Sequence, residues 1–246
     1  LNSVQSGGNY NIAIGDSAGT ALTTGDNNTF VGPFSGIATV TTSDNTGLGL
    51  STLRANTGSS NTALGSQALR NNTTASNNTA VGLKALYLNT TASENTAVGH
   101  QAGYSNTTGA SNVALGAFAL DANTTASNNT AVGTSSLGSN TTGSENTAIG
   151  RVALVANTTG ADNVALGYRG LTANTTGASN VAIGKDALYS NTTASNNNAV
   201  GQGAGYSTTS GHSNNFIGRN AGYSNTTGTN NTVLGHNALN YNTTAS

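Results

Sequence analysis

One spacing governs the whole 246-residue chain: a Gly that follows an aliphatic residue recurs at intervals of 17 residues, with one interval of 16. Repetition at a fixed period identifies a repeat architecture, and this period fits neither coiled-coil heptads, nor helical-pair repeats of about 33 residues or more, nor collagen triplets. The short interval arises because residues 55–61 lack one Thr of the usual segment. The fourteen glycines are Gly15, Gly32, Gly49, Gly65, Gly82, Gly99, Gly116, Gly133, Gly150, Gly167, Gly184, Gly201, Gly218 and Gly235.

Residue types vary along the repeat in a way that predicts its local structure. With the Gly as position 0, position −1 is Val, Ile or Leu, −2 is nearly always Ala, and −3 is usually Thr or Val. This alternation is typical of a short strand with two distinct faces, so we expect the aliphatic column to face a core and the Ala column a tight contact. The invariant Gly predicts positive φ or close backbone approach. Ala and Gly interchange at +10, which predicts ordinary backbone there.

A second inward-facing segment is predicted at positions +3 and +4, where Ala-Leu or Ala-Gly recurs, as in Ala85-Leu86 and Ala102-Gly103. Positions +1 and +2 accept almost any residue and should face solvent. No segment sustains the roughly 12 residues that a stable helix needs. The predicted fold is therefore all-β: a parallel β-solenoid or β-roll of about fourteen 17-residue coils, each with two short strands and two turns. Residues 1–60 read as irregular N-terminal coils, and residues 61–246 as the regular array.

Composition excludes several classes of function. Charged residues make up 6% of the chain and the formal net charge is −1, so the basic surface that nucleic-acid binding needs is missing. No apolar run approaches the ~20 residues of a membrane span. His100, His212 and His236 do not form a metal-ligand spacing, and the acidic residues are too sparse for a repeated calcium site. We expect no catalytic, cofactor or metal site, no cofactor and no enzyme activity.

The repeat also bears on assembly. Each coil offers only two sizeable aliphatic residues and two Ala against the conformational entropy of ordering 17 residues, so a single stack of coils has little apolar surface to bury. We expect a homo-oligomer with parallel chains, in which the Ala and Gly columns pack against neighbouring chains. The chain stops mid-coil without a polar cap, from which we expect a segment of a longer or end-to-end fibre.

An Asn-Thr-Thr column begins at position +7. One interpretation is a ladder in which stacked amides hydrogen-bond their neighbours. The other is N-glycosylation, since each Asn opens an Asn-x-Thr acceptor pattern, with O-linked sugars on the Thr residues as a variant. The ten candidate acceptors are Asn72, Asn89, Asn106, Asn123, Asn140, Asn157, Asn174, Asn191, Asn225 and Asn242.

The motifs "NTAVGHQA", "NVAIGKDA" and "NTAIGRVA" resemble the repeats in the heads of trimeric autotransporter adhesins, the YadA-like heads. Similar repeats occur in phage tail fibres. The resemblance implies a left-handed parallel β-roll, trimerisation, and binding to host matrix or other surfaces, hence an extracellular, cell-surface or virion location. The coil here is longer than that family's, by the Asn-Thr-Thr-Gly/Ala-Ser loop, and the neck, coiled-coil stalk and membrane anchor are not found.

Two further readings remain open. A flat Thr-rich face would suit an ice-binding solenoid, and "AGYSNTTG" is similar to the octapeptide of bacterial ice-nucleation proteins. Tyr recurs at position +5, where it would either stack on carbohydrate or shield the edge of the coil. These residues are Tyr87, Tyr104, Tyr189, Tyr206 and Tyr223.

Overall fold

The computed structural model describes residues 7–244 of the chain, and these contain no helix. Each coil contributes one β-strand of three residues, at positions −3 to −1, which confirms the all-β class and the number of coils. The strands are β1 (Ile12–Ile14), β2 (Thr29–Val31), β3 (Thr46–Leu48), β4 (Thr62–Leu64), β5 (Thr79–Val81), β6 (Thr96–Val98), β7 (Val113–Leu115), β8 (Thr130–Val132), β9 (Thr147–Ile149), β10 (Val164–Leu166), β11 (Val181–Ile183), β12 (Asn198–Val200), β13 (Asn215–Ile217) and β14 (Thr232–Leu234).

Equivalent residues of successive coils lie side by side. Strand β5 pairs with β6 in parallel, for example, so that Ala80 is opposite Ala97. The chain forms two compact units: Leu1–Thr125 contains β1–β7, and Ala126–Ser246 contains β8–β14. Within each unit the coils stack as a parallel β-solenoid, as predicted. The predicted boundary between residues 60 and 61 is untested, and the outer ends of the two predicted segments, residues 1–6 and 245–246, lie outside the described residues.

The strand faces the opposite way from our prediction. The Ala at −2 points into the coil and is fully buried, as at Ala80 and Ala148, whereas Leu64 and Ile149 at −1 are 42% and 39% exposed. The coil interior has room for the smaller side chain only. The coil interior is occupied by Leu from position +4, and Ala97 lines the same small internal void as Leu86 and Leu120. Only a methyl group fits opposite those leucines, so the larger aliphatic is turned outward. The prediction that Ala columns form an interface between chains is therefore wrong.

The second inward segment is a turn rather than a strand. The Ala and Leu of positions +3 and +4 are buried as predicted, but Leu69 and Leu154 have φ of 49° and 51°, in the left-handed region. No strand passes through such a residue. The segments still stack, since the Leu69 N–H donates to the Ala85 carbonyl at 3.0 Å. The prediction of two strands per coil is thus corrected to one strand and a stacked turn.

The invariant Gly has the geometry predicted for it. Gly133 has φ of 129°, and a methyl group built on it would lie 2.6 Å from the carbonyl oxygen of Gly150 in the next coil. Both the conformation and the close approach require Gly. At position +10, Gly143 does not have positive φ, as expected where Ala also occurs. At the variable positions, Leu83 is exposed as predicted, while Lys84 is half-buried at φ 57°.

Candidate functional site: the Asn columns and the outer sheet face

The Asn side chains at position +7 form a buried ladder. In the first unit the Asn89 Nδ2 donates to the Asn72 Oδ1 at 2.8 Å, and the Asn106 Nδ2 donates to the Asn89 Oδ1 at 2.9 Å. The second amide hydrogen is also used, because Asn89 Nδ2 donates to the Ala92 carbonyl at 2.9 Å. The second unit repeats the arrangement, for example from Asn174 to Asn157 at 2.8 Å. The ladder interpretation of this column is therefore confirmed.

A second Asn column, at position −4, was missed by the sequence analysis. Its side chains are also buried except in the first and last coils, and the Oδ1 accepts from the next coil: Asn163 Oδ1 receives the backbone N–H of Asn180 at 3.0 Å. Its Nδ2 donates to the Gly177 carbonyl at 2.9 Å, which also accepts from Asn174 Nδ2. One carbonyl thus joins the two ladders with both lone pairs used. The signal was present in the sequence, since all fourteen coils have Asn at −4.

This geometry bears directly on glycosylation of the ten +7 residues. A glycan on Nδ2 replaces one of its two hydrogens and would break a bond of the ladder, and residues such as Asn106 and Asn157 are at most 2% exposed. The folded coils therefore disfavour modification of this column. Asn242, in the last coil, is half-buried. Glycosylation of these residues stays a prediction.

The ladder of the second unit is interrupted at Thr208, which takes the +7 position in place of Asn. Its buried Oγ1 has no hydrogen-bond partner, and neither does the Oδ1 of Asn191 in the coil before, which would accept from an Asn at this position. An unpaired buried polar atom costs about 1–3 kcal/mol. The +7 ladder of the second unit is therefore weakest at this coil.

The Tyr column stacks on itself. Tyr189 and Tyr206 have ring centroids 4.9 Å apart, and Tyr206 and Tyr223 are 4.8 Å apart, with nearly parallel planes. Arg169 lies over the free face of Tyr189 at 5.0 Å and pairs with Asp186 at 2.7 Å. Tyr87 and Tyr104 form a similar pair in the first unit. Stacked neighbours cover both faces of the Tyr206 ring and at least one face of each of the other four rings, which leaves little ring surface for sugar stacking and favours the edge-shielding interpretation.

The outer sheet face, formed by the side chains at −3 and −1, is the main apolar surface of each unit. Its −1 file includes Leu48, Leu64 and Leu115 in the first unit and Ile149, Ile183 and Ile217 in the second, each more than a third exposed. The −3 file is Thr or Val in most coils, and no charged residue occurs at either position. A monomeric protein rarely exposes a continuous apolar surface of this kind.

No family model, curated protein or solved structure matches the chain. The columns themselves therefore carry any functional argument.

Charged and metal-binding groups do not gather into a site. Within residues 7–244 no three His, Cys, Asp or Glu side chains lie close enough together to hold a metal ion. His100 packs edge-on against Phe118, and His212 contacts its neighbour Ser213. Burial raises the pKa of the Asp121 carboxyl above its ordinary value, with its own and the Ala122 backbone hydrogen bonds opposing the shift. The described residues also contain no helix of the length and apolarity needed to cross a bilayer.

Proposed function

We propose that the chain is a structural and adhesive segment of an extracellular fibre, on a cell surface or a virion, in which parallel copies associate through the outer sheet face. The observation that carries the proposal is the uncharged, apolar file at −1, which the fold leaves in solvent in coil after coil. The resemblance to YadA-like heads makes a trimer the favoured assembly and a host or matrix surface the favoured target.

The outer sheet face has the regularity of an interface between copies of this chain. Seven coils at ~4.8 Å by a face ~10 Å wide present roughly 300 Å² in each unit, so each unit has to contribute its own contact toward the ~800 Å² per partner of a stable complex. A second copy is the natural occupant, because its own files repeat with the same spacing and also lack charge. Burial against it would supply the apolar contact that a lone stack of coils lacks.

The test places charge on the outer sheet face. Leu64→Lys combined with Leu115→Lys adds two ammonium groups to the −1 file, and association would bury both without partners. We expect the native chain to sediment as an oligomer and the double variant as a monomer with an unchanged circular dichroism spectrum. Leu83→Lys is the matched control, since Leu83 is 44% exposed but lies outside this face. A monomeric native chain, or equal dissociation of the control, would refute the proposal.

Ice binding is the second candidate, and one observation favours it. In the first unit five successive coils place Thr at −3 beside the aliphatic file, giving a regular Thr-x-aliphatic surface on parallel strands: Thr29, Thr46, Thr62, Thr79 and Thr96. Thr46 and Thr62 are exposed. The two candidates compete for one face, because a face buried between copies is closed to ice. Thermal hysteresis from a monomeric native chain, lost in Thr62→Lys, would favour ice binding over the fibre.

A further inference from the structure

The exposed turn at position −5 carries a second set of Asn-x-Thr triplets, distinct from the buried +7 column. In four coils this position is Asn with Thr two residues later: Asn27, Asn77, Asn128 and Asn230. All four side chains are exposed, and their φ values lie between 56° and 61°, a conformation that Asn tolerates well. In the triplets of Asn77 and Asn128 the acceptor Asn is exposed and the Thr that completes the triplet is half-exposed, while the middle residue, Asn78 or Asn129, is buried.

The four side chains differ in whether their amide is free. The side-chain amides of Asn77 and Asn128 make no hydrogen bond with any of residues 7–244. By contrast, Asn27 Nδ2 donates to Asp44 Oδ1 at 3.1 Å, and Asn230 Nδ2 lies 3.5 Å from the Oγ1 of Thr229. Asn77 and Asn128 therefore present the nucleophilic nitrogen to solvent with nothing to displace.

We propose that Asn77 and Asn128 are the N-glycan acceptors of the folded coil. The proposal deepens the fibre function and rests on its extracytoplasmic location, but it moves the sugar from the buried +7 column to the turn at −5. Thr79 and Thr130, which complete the triplets, are half-exposed at the start of β5 and β8.

Crowding also distinguishes the two columns. Acceptors at +7 occur in consecutive coils, so neighbouring glycans would stand only ~4.8 Å apart, about the width of one sugar ring. At the −5 turn the coils next to Asn77 have Ser60 and Glu94, and the coil after Asn128 has Glu145. None of these can carry an N-glycan, so a glycan on Asn77 has no glycan on either neighbouring coil, and a glycan on Asn128 has none on the coil after it.

The chemistry needs a sugar activated as a nucleotide or lipid diphosphate. The Asn Nδ2 attacks C1 of the sugar, the C1–O bond to phosphate breaks, and the diphosphate leaves with the bonding electrons. One amide hydrogen departs as a proton to a base of the transferring enzyme. No oxidant, reductant or metal is required from this chain.

The experiment treats the purified full chain with a soluble Asn-x-Thr N-glucosyltransferase and UDP-glucose, first folded and then after denaturation, with peptide mapping by mass. We expect one hexose on Asn77 and one on Asn128 in the folded chain, and none on Asn89 or Asn106 until the chain is denatured. Asn77→Gln and Asn128→Gln should each lose one site. In the Asn77→Gln background, Glu94→Asn should gain one, because it creates the same triplet at the same turn with no glycan on the coil before it.

A folded chain left unmodified at Asn77 and Asn128, or one modified equally at Asn106, would overturn the proposal. Either result is independent of the association test, because acceptor accessibility and the mass of the assembly are measured separately. A monomeric native chain would end the fibre proposal and leave these acceptors standing.

Discussion

Small residues at two positions set the thickness of the coil. Gly at position 0 allows the backbone of one coil to touch that of the next, and Ala at −2 allows the strand to approach the Leu turn. In both places a larger side chain would meet backbone or a packed neighbour, which has little freedom to move. The identity of these residues is therefore a steric requirement of the stack.

The first prediction compares the cost of Ala at a position with positive φ with its cost at a position with ordinary φ. Gly133→Ala should lower the free energy of unfolding by at least about 2 kcal/mol, because Ala is strained at φ 129° and its methyl would overlap the Gly150 carbonyl. Gly143→Ala should cost much less. A methyl built on Gly143 would also overlap a backbone carbonyl, that of Gly160, but Ala75 and Ala194 occupy the equivalent position, so the coils can adjust to a methyl where φ is not strained. Urea denaturation measures both, and equal losses would contradict the argument.

In the core, Gly replaces Leu at position +4 where Phe replaces Ala at position −2, with one exception. Where +4 is Gly, as at Gly205 and Gly222, the ring of Phe216 at −2 fills the vacated space. Gly103 has no such compensation, since the −2 residues near it are Ala97 and Ala114, and a cavity of about 10 Å³ remains. The first unit therefore contains a packing defect at this coil.

Filling this cavity should stabilise the protein. Gly103→Leu continues the Leu column, and the backbone is ready for it, because Gly103 has φ of 60° and the native leucines have φ near 50°. The cavity is about the size of one water, and Leu86 Cδ2 lies 3.0 Å from the position of the new Cβ. Leu86 must therefore turn aside, and we expect a gain of at most about 1 kcal/mol in the free energy of unfolding. Gly222→Leu, at the same φ, is the control and should destabilise because its side chain would overlap the Phe216 ring. A loss for Gly103→Leu of similar size would show that the cavity is not available.

At the scale of the coil, hydrogen bonds matter more than apolar area. Each coil has one three-residue strand. The two Asn ladders add hydrogen bonds between successive coils in the part of the coil that lies outside the strand. Interior amides gain strength from the low dielectric around them, but an unpaired one is correspondingly costly. A single wrong residue in a ladder therefore affects the coils on both sides.

Repairing the ladder at Thr208 tests this idea. Thr208→Asn supplies an Nδ2 for the unpaired Asn191 Oδ1 and an Oδ1 for the amide of Asn225, so we expect a gain of about 1–3 kcal/mol. Ser210→Asn, at an exposed position of the same coil, should leave stability unchanged. In the intact part of the ladder, Asn174→Thr should lose a comparable amount. No gain from Thr208→Asn would mean that water already satisfies these groups.

For the molecule as a whole, the scarcity of charge predicts a stability that hardly depends on salt. Only Arg169 and Asp186 form an ion pair among residues 7–244, and a single half-buried pair gives salt little to screen. Asp121 is the carboxyl whose pKa burial raises. The amide hydrogen bonds of the two Asn ladders do not depend on pH. Asp121 should therefore dominate the pH dependence of stability in the acid range.

The sign of that dependence follows from the raised pKa of Asp121. The folded state binds this proton more tightly than the unfolded state, so stability is highest below the ordinary pKa of 3.8 and falls as the pH rises through the higher folded value. The urea midpoint should therefore decrease slightly between acid and neutral pH. Asp121→Asn should remove the decrease, while Asp162→Asn, at an exposed turn, should retain it. A midpoint that rises with pH would contradict this assignment.

The period of the repeat determined from the sequence alone the fold class, the number of coils, the register and the need for Gly at position 0, because a fixed spacing makes equivalent residues neighbours. Alternation at −3 to −1 established two strand faces but not which one lies inside. Tertiary structure decided that, since only a methyl fits opposite the Leu turn. It likewise showed that the amides of Asn106 and its equivalents form a buried ladder, which the sequence could not distinguish from an exposed acceptor column because both need the same residue types.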